Sequence, residues 1–511
     1  MAFCAVALGL LVRILWLNGG KLVYTLDDAY IHLAVAENIL QGTYGVNPGE
    51  ASAPSSSPLY PFLLAPFGRL ALLEWMPLLI GFAASLATIA LWMRIVRSAV
   101  GDPAEAAQAP DSGPGRMPGH LSTPALTALI VTLLIPATNL LGVMFTGMEH
   151  SLQLFATALL IAGLVDERRT GHAPWWLALA IVLGPLLRYE NLALSLPAIG
   201  YLLVRKQSRA AVMSAAALGL LLATFSLFLY ATTDLLLPAS VLLKSGMVGN
   251  GPGLLESLLD GIRSRLALRQ GGFHALFFAL LLGAALAKSD RSDRLLAAWC
   301  ATGVFVHLLV GPFGYFERYE LYIWSAAILT SLVVFGPQLR ALATRTPSLA
   351  LALGASAVTV AIAFPYLYVT LKTPLGSNNI YEQQYQMHRF ATEFHDGPVA
   401  VTDLGWVAFR NDDYVLDLWG LSYPRAAELR LQGDDAYMGD LVRELDVGVA
   451  MLYGAWYSEL PEGWTALAEM ELGKPRFTPA ESRVTFYSLD PANEPRVRES
   501  LRNSARRYPA G

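Results

Sequence analysis

Two adjacent acids, Asp27 and Asp28, open the stretch Asp27-Asp28-Ala29-Tyr30-Ile31-His32 just beyond a first apolar segment. Folding does not require neighbouring carboxylates there. Desolvation and like-charge proximity both raise a carboxylate's pKa, which suits a general base. The same pair could hold a divalent cation, although two acids without a third ligand do not make a cation site. Other charged residues stand between apolar runs: Glu149 and His150 in Thr146-Gly147-Met148-Glu149-His150, Arg188 and Glu190 in Arg188-Tyr189-Glu190, and Arg318 in Tyr315-Phe316-Glu317-Arg318-Tyr319. Arg318 suits a phosphate, because guanidinium pairs bidentately with phosphate oxygens. Lys244 is a second cation for that role, and reads more simply as an interface-anchoring lysine.

Each of these residues also has a plain structural reading. Asp28 precedes a helical run, Ala29 to Gln41, which Gly42 ends, so Asp28 reads as an N-cap and Gly42 as a C-cap. Capping accounts for Asp28 and leaves Asp27 as the cleaner catalytic candidate. Glu149 could complement a helix dipole, with His150 at an interface. Arg188 and Glu190 could merely lock a turn. A charge deep in a bilayer costs about 2.5–3.5 kcal/mol, however, which favours function for the pair.

The elements that position these residues are mostly membrane-length helices. Hydrophobic residues make up 54% of the chain and charged residues 15%, where a soluble chain is about one-quarter charged. Apolar runs near 2–20, 76–96, 123–141, 150–165, 174–188, 191–204, 210–230, 272–288, 294–311, 320–338 and 348–370 predict about eleven transmembrane helices. The first run lacks a small-residue cleavage site and reads as a retained helix. With a cytoplasmic N-terminus, every alternate loop is basic: Arg94/Arg97/Arg116, Arg168/Arg169, Arg205/Lys206/Arg209, Lys288/Arg291/Arg294 and Arg340/Arg345. That order places loop 21–75, loop 231–271 and everything after Lys372 on the extracytoplasmic side. Leu59 to Leu73 is short and interrupted, and is expected as a helix lying at the interface. Arg263, Arg265 and Arg269 are expected to meet lipid headgroups, and loop 101–122, rich in Pro, Gly and Ala, reads as a disordered connector.

Past residue 372 the composition changes. Short strands near 398–402, 414–418, 447–452 and 484–487 alternate with helical patterns near 379–395 and 424–445, predicting a small α/β domain over 373–490. A polar, loose tail is expected over 491–511. Asp403-Leu404-Gly405-Trp406 and Asp417-Leu418-Trp419-Gly420-Leu421 are strand-end motifs whose acids are expected to cap turns. Trp406, Trp419, Tyr423, Trp456 and Tyr457 read as domain core ahead of a surface for stacking on a glycan. Cys4 and Cys300 lie in apolar runs and are expected as free, buried thiols. The net charge of −4 argues against a nucleic-acid partner.

The first loop, with Asp27-Asp28-Ala29-Tyr30-Ile31, the helix Ala36-Glu37-Asn38-Ile39-Leu40-Gln41-Gly42, the turn Asn47-Pro48-Gly49-Glu50 and the entry Ser56-Ser57-Pro58-Leu59-Tyr60, resembles the GT-C superfamily of membrane glycosyltransferases. The likeness is closest to the polyprenyl-phosphate-sugar branch: arabinofuranosyl-, mannosyl- and aminoarabinose-transferases. It covers Leu10 to about Phe67 by motif and the remainder by architecture. Gly147-Met148-Glu149 resembles a similarly placed family motif, and Arg188-Tyr189-Glu190 resembles the family's Arg-Pro-Glu, with Tyr189 where Pro is usual. The Asp403 and Asp417 motifs resemble the Asp-x-Gly and Asp-Leu-x-Gly-Leu pattern of the family's outer domain, which implies a structural or acceptor-contacting role.

The resemblance implies a multi-pass enzyme of a bacterial inner membrane. It would move a sugar from a polyprenyl-phosphate donor to a glycan, lipid or protein acceptor, inverting the anomeric centre. Asp27 or Asp28 would be the base, and Glu149, His150, Arg188, Glu190, Lys244, Arg318 and His32 would bind substrate. No cofactor is implied with certainty, and a divalent cation at Asp27 and Asp28 stays open. The alternative class is a membrane transporter or lipid flippase, which calls for halved internal symmetry and acids within the spans; here the charges gather at helix ends.

Overall fold

The structure, a computed structural model, describes residues 1–101, 121–245, 254–432, 436–457 and 459–507. The connector 102–120 therefore lies outside the described residues. The chain is mostly helical, with one small sheet near its C-terminus. A helix occurs at each of the eleven apolar windows, from Ala2–Leu17 to Ser348–Glu382. Helices suit such sequences because they satisfy every backbone polar group within the segment. Five are long and apolar enough to cross a membrane, or six if the bent pair Leu321–Val334 and Gly336–Arg345 is one span. Ala2–Leu17, Thr123–Ala137 and Trp175–Leu187 are apolar but shorter.

Several local expectations are corrected. Residues 59–73 form no single helix: Tyr60–Leu64 runs into a tight turn at Ala65–Phe67, and another follows at Leu73–Trp75. Pro66 lacks the N–H that a continuous helix would bond to the Phe62 carbonyl, whereas Pro61 stands in the first turn, where none is needed. Cys4 is exposed while Cys300 is buried. Arg265 does not reach outward. Its Nε and Nη1 donate to the carbonyls of Gly311 and Leu309, both at 2.8 Å, capping the end of helix Arg291–Val310. Arg269 donates to the carbonyl of Ala361 and stays exposed, as expected of a surface arginine.

The sheet has five strands: β1 Val399–Val401, β2 Val415–Asp417, β3 Val449–Leu452, β4 Thr465–Glu471 and β5 Arg483–Ser488, in the order β2-β1-β3-β5-β4. The first three pair in parallel and the last two antiparallel. β4 was not expected, since Thr465-Ala466-Leu467-Ala468-Glu469-Met470-Glu471 consists largely of helix formers. Its partner β5 and an edge position override that propensity. The tail is not loose either: Glu494–Ala505 is a helix that buries Val497 against the short helical turn Phe390–Phe394.

Strand side chains alternate between two cores, as the period of two requires. Val399, Val401, Met451 and Phe486 join the core that runs through the helical bundle. Ala400, Leu416, Ala450 and Tyr487 form a second core with helices Pro424–Gln432 and Tyr437–Glu444. The long helix Ser348–Glu382 ties the sheet to the bundle without a break at residue 372. Its end is pinned by Ser377, whose Oγ donates to the carbonyl of Val23 at 2.6 Å and accepts from Asn18 Nδ2 at 2.9 Å.

Candidate active site

The first loop folds into the helix Asp28–Ile39, nine of whose residues are buried. Its N-cap is Asp27 rather than Asp28, and the Asp27 side chain makes no cap bond to it. Asp27 instead accepts backbone N–H bonds from Gly405 at 2.7 Å and Trp406 at 2.8 Å, so both its oxygens serve the start of the short helix Gly405–Ala408. Gly405 is what permits this approach. A Cβ there would lie 2.1 Å from the Asp27 carbonyl oxygen. Burial, then the nearby charge of Asp403, push the Asp27 carboxyl well above the usual carboxylate range, against the pull of the two N–H bonds.

Asp28, one residue on, points the other way. Its side chain is 44% exposed, and its Oδ2 lies 2.6 Å from Nη2 of Arg318. The two acids thus divide their duties in the opposite sense to the capping argument. Asp27 fastens the first loop to the sheet region, and Asp28 faces a cavity.

That cavity holds about 420 Å³, within the range of small-molecule sites. One wall comes from the bundle and its loops: Asp28, His32, Ser55, Arg188, Arg318 and Tyr319. The facing wall comes from the sheet region: Thr402, Asp403, Trp419, Leu421 and Trp456, with Thr478, Pro479 and Ala480 beside them. Asp27 lies at the seam between the two.

Arg188 and Arg318 both stack against the ring of Tyr319, at 5.3 and 4.9 Å. Their partners differ. Arg188 is 2% exposed and donates to Glu149 at 2.6 Å and twice to Glu190, at 2.8 and 3.3 Å. Glu149 is fully buried, and its second oxygen meets His32 Nε2 at 3.4 Å. The other ring nitrogen of His32 meets Ser55 Oγ at 3.2 Å. Burial lowers the pKa of His32, so the ring is neutral at pH 7. Arg318 is equally buried, but of its guanidinium nitrogens only Nη2 is bonded, to Asp28 and to the hydroxyl of Tyr319 at 3.2 Å. Nε and Nη1 have no hydrogen-bond partner among the described residues.

A run of left-handed backbone delivers Arg318. Gly314, Tyr315, Phe316 and Glu317 have φ of 86°, 49°, 67° and 49°, a conformation that costs L-residues about 1–2 kcal/mol each. Three clamps hold it. Asn139 Nδ2 donates to the Phe316 carbonyl at 3.2 Å, Gln270 Nε2 to Glu317 Oε2 at 2.8 Å, and the Gly314 N–H to Glu320 Oε2 at 3.1 Å. On the facing side of Arg188, Gly147 takes φ of 70° and packs so closely that a Cβ would lie 2.5 Å from Tyr24. This sets the start of helix His150–Thr170, and with it Glu149.

The structure therefore gathers Asp28, His32, Arg188 and Arg318 on one cavity. Glu149 and Glu190 stand behind Arg188 and are not among the lining residues. His150 is fully buried beside Tyr319. Lys244 lies on the helix Ala239–Ser245, and its side chain is outside the described residues. Among the described residues no three His, Cys, Asp or Glu side chains converge as a cation site, and Asp27 already gives both oxygens to N–H groups.

The sequence left the facing wall open between turn, core and acceptor contact. Asp403 lines the cavity, its Oδ2 held by Tyr453 Oη at 2.6 Å and Gln384 Nε2 at 2.9 Å. Asp417 does cap its own loop, accepting from the N–H groups of Trp419, Gly420 and Ser422 at 2.9, 3.1 and 2.7 Å. The signal available for Asp403 was the glycine two residues on, which marks a close backbone approach.

A protein-family profile described as a domain of unknown function, DUF8728, matches residues 378–487. That stretch includes the facing wall from Thr402 to Ala480 and all but the last residue of the sheet. No curated protein matches the chain.

Proposed function

We propose that this protein is a membrane glycosyltransferase that moves a sugar from a polyprenyl-phosphate donor to an acceptor hydroxyl on the extracytoplasmic face of a bacterial inner membrane. The alternation of basic loops supports that sidedness, and the likeness of the first loop to the GT-C superfamily supports the donor. The observation that carries the chemistry is the pairing of Arg318 with Asp28. A buried guanidinium with two nitrogens that lack a hydrogen-bond partner among the described residues sits 2.6 Å from a half-exposed carboxylate, on a cavity shared by the bundle and the sheet region.

In this reading the leaving phosphate takes the open N–H groups of Arg318, whose fixed charge receives the negative charge that develops as the anomeric C–O bond breaks. Asp28 accepts the proton of the acceptor hydroxyl as that oxygen forms the new bond to the anomeric carbon. The transition state is oxocarbenium-like, and a single displacement inverts the centre. Phosphate arrival also loosens the Asp28–Arg318 ion pair and frees the base. Arg188, already balanced by two carboxylates, holds the wall and shapes the field. Asp27 keeps the two walls together.

The test uses the full chain in lipid vesicles with polyprenyl-phosphate sugars and membrane acceptors. Arg318→Gln is expected to lower transfer by about 10²–10³-fold, the effect of losing one preorganised charge donor, with insertion unchanged. If Arg318→Gln and Asp28→Asn both transfer sugar like the parent, the reading is wrong.

A further inference from the structure

The bundle carries a second hollow, a groove of about 530 Å³ that shares no lining residue with the cavity at Arg318. Its walls are the helices Thr123–Ala137, Leu321–Val334 and Ser348–Glu382, and its lining is apolar except for Thr346 and Thr359. The last of these helices is thinly covered: its apolar stretch is the least buried of the five candidate spans among the described residues. Gly354 lines the groove, and a Cβ there would meet nothing within 4 Å, so a side chain at that position projects into free space. Towards Arg318 the groove is closed. Trp324 donates from Nε1 to the carbonyl of Ala137 at 2.8 Å and stacks on Tyr366 at 5.6 Å. Beyond them Thr370 bonds Asn139, the clamp of the Arg318 loop. At the other end the helix Gly336–Arg345 bends 69° from Leu321–Val334 and adds Leu339 and Leu342 to the lining. Two cations of that end are committed: Arg340 donates to the carbonyls of Val100 and Gly101, and Lys288 to that of Val334 at 2.8 Å. Arg345, between the lining residues Leu342 and Thr346, is exposed and has no hydrogen bond or ion pair to a described residue.

We propose that the groove holds one chain of an anionic phospholipid, with the lipid phosphate on Arg345. The site needs only a bilayer and is independent of the glycosyltransferase reading. Length, width and charge agree on this occupant. From Leu126 to Ala137 a helix rises about 16 Å, roughly one leaflet of a hydrocarbon core about 30 Å thick. The groove's volume over that length leaves a cross-section on the order of 30 Å², about a third that of an α-helix 10–12 Å across. A hydrocarbon chain fits it, and a partner's helix does not. Arg345 stands where the headgroup of that chain would lie, and its guanidinium pairs bidentately with phosphate oxygens. Basic sites between spans at the cytoplasmic interface recognise anionic headgroups in the same way, and by the sidedness proposed above this end is the cytoplasmic one. A zwitterionic headgroup sets an amine beside the phosphate and loses part of the attraction. The bound chain braces the helix Ser348–Glu382, whose far end pins the first loop through Ser377 and Val23.

Native mass spectrometry of the full chain released from nanodiscs tests this, with phosphatidylglycerol and phosphatidylethanolamine titrated separately. The parent is expected to retain phosphatidylglycerol at several times the occupancy of phosphatidylethanolamine. Gly354→Phe puts a ring into the groove and is expected to lower that occupancy at least severalfold, as is Ala350→Phe one turn earlier. Arg345→Gln is expected to bring the two lipids to parity. Thermal midpoints at or above the parent level certify the fold of each variant, and either groove-filling variant that passes is decisive. Parent-like retention of phosphatidylglycerol in such a variant overturns the proposal, and so does a preference for phosphatidylglycerol that survives Arg345→Gln. An excess of geranylgeranyl phosphate is expected to leave the phosphatidylglycerol in place. Its displacement would make the groove a seat for polyprenyl tails, which overturns the proposal too.

Discussion

Arg188 and Arg318 both lie against the ring of Tyr319, equally buried, yet they are prepared for different work. Arg188 is closed: three hydrogen bonds to two carboxylates leave it overcompensated, with the neutral His32 behind. Arg318 is open: one ion pair to a half-exposed acid, and two nitrogens, Nε and Nη1, without a hydrogen-bond partner among the described residues. An unmade hydrogen bond on a buried charged group is expensive. The molecule tolerates that cost at Arg318 and avoids it a few ångströms away. Burial and charge type alone do not mark a binding residue; the unfilled valence does.

The sharpest way to break this contrast is to remove each cation. Arg188→Gln strands the fully buried Glu149 and is expected to destabilise the fold by about 3–5 kcal/mol, read as a lower thermal midpoint in detergent. Arg318→Gln leaves Asp28 half in solvent and should cost no more than about 1 kcal/mol. Equal losses of stability would erase the distinction.

The two acids extend the comparison. Asp27→Asn puts an amide NH₂ against one of two backbone donors, an expected cost of about 1–3 kcal/mol. Its pH dependence has a defined sign. The Asp27 carboxyl is raised above its ordinary value of 3.8 in the folded protein, so the native state holds the proton more tightly than the unfolded chain. That contribution is complete below pH 3.8 and is lost as pH climbs through the raised value. Denaturation midpoints followed upward from acid pH should fall less steeply in Asp27→Asn than in the parent. Asp28→Asn acts on binding rather than on stability. With its internal rival gone, Arg318 should bind geranylgeranyl phosphate about tenfold more tightly, ~1.4 kcal/mol, even as transfer is lost. Weaker binding in an equilibrium assay would mean that Asp28 and the phosphate do not compete.

How far the sequence could be read follows the range of the interactions. The helices are legible because each apolar run satisfies its own backbone. Four strands are legible because alternation is local. β4 is not, since only the neighbouring strand makes Thr465–Glu471 extended. In the site, Arg188 and Arg318 stand out as charges at helix ends, and Glu149 gains weight beside them. The division between Asp27 and Asp28 is illegible, because what decides it is a pair of N–H groups 378 and 379 residues away. The same holds for Trp419 and Trp456. Their types suit core and cavity equally, and only the fold separates them from Trp406.

The contact between Asp27 and Gly405 also sets a schedule. The ribosome finishes the first loop, with its acids, long before it reaches the strands that supply the other wall. A chain halted near residue 395 would carry Asp28 and Arg318 and nearly every helix, yet would have half a cavity, open to water, and an unclaimed carboxylate at Asp27. The strands made after that point are what turn a helical bundle into a vessel. On the glycosyltransferase reading, transfer is thereby withheld from every chain halted before them, without any separate inhibitor.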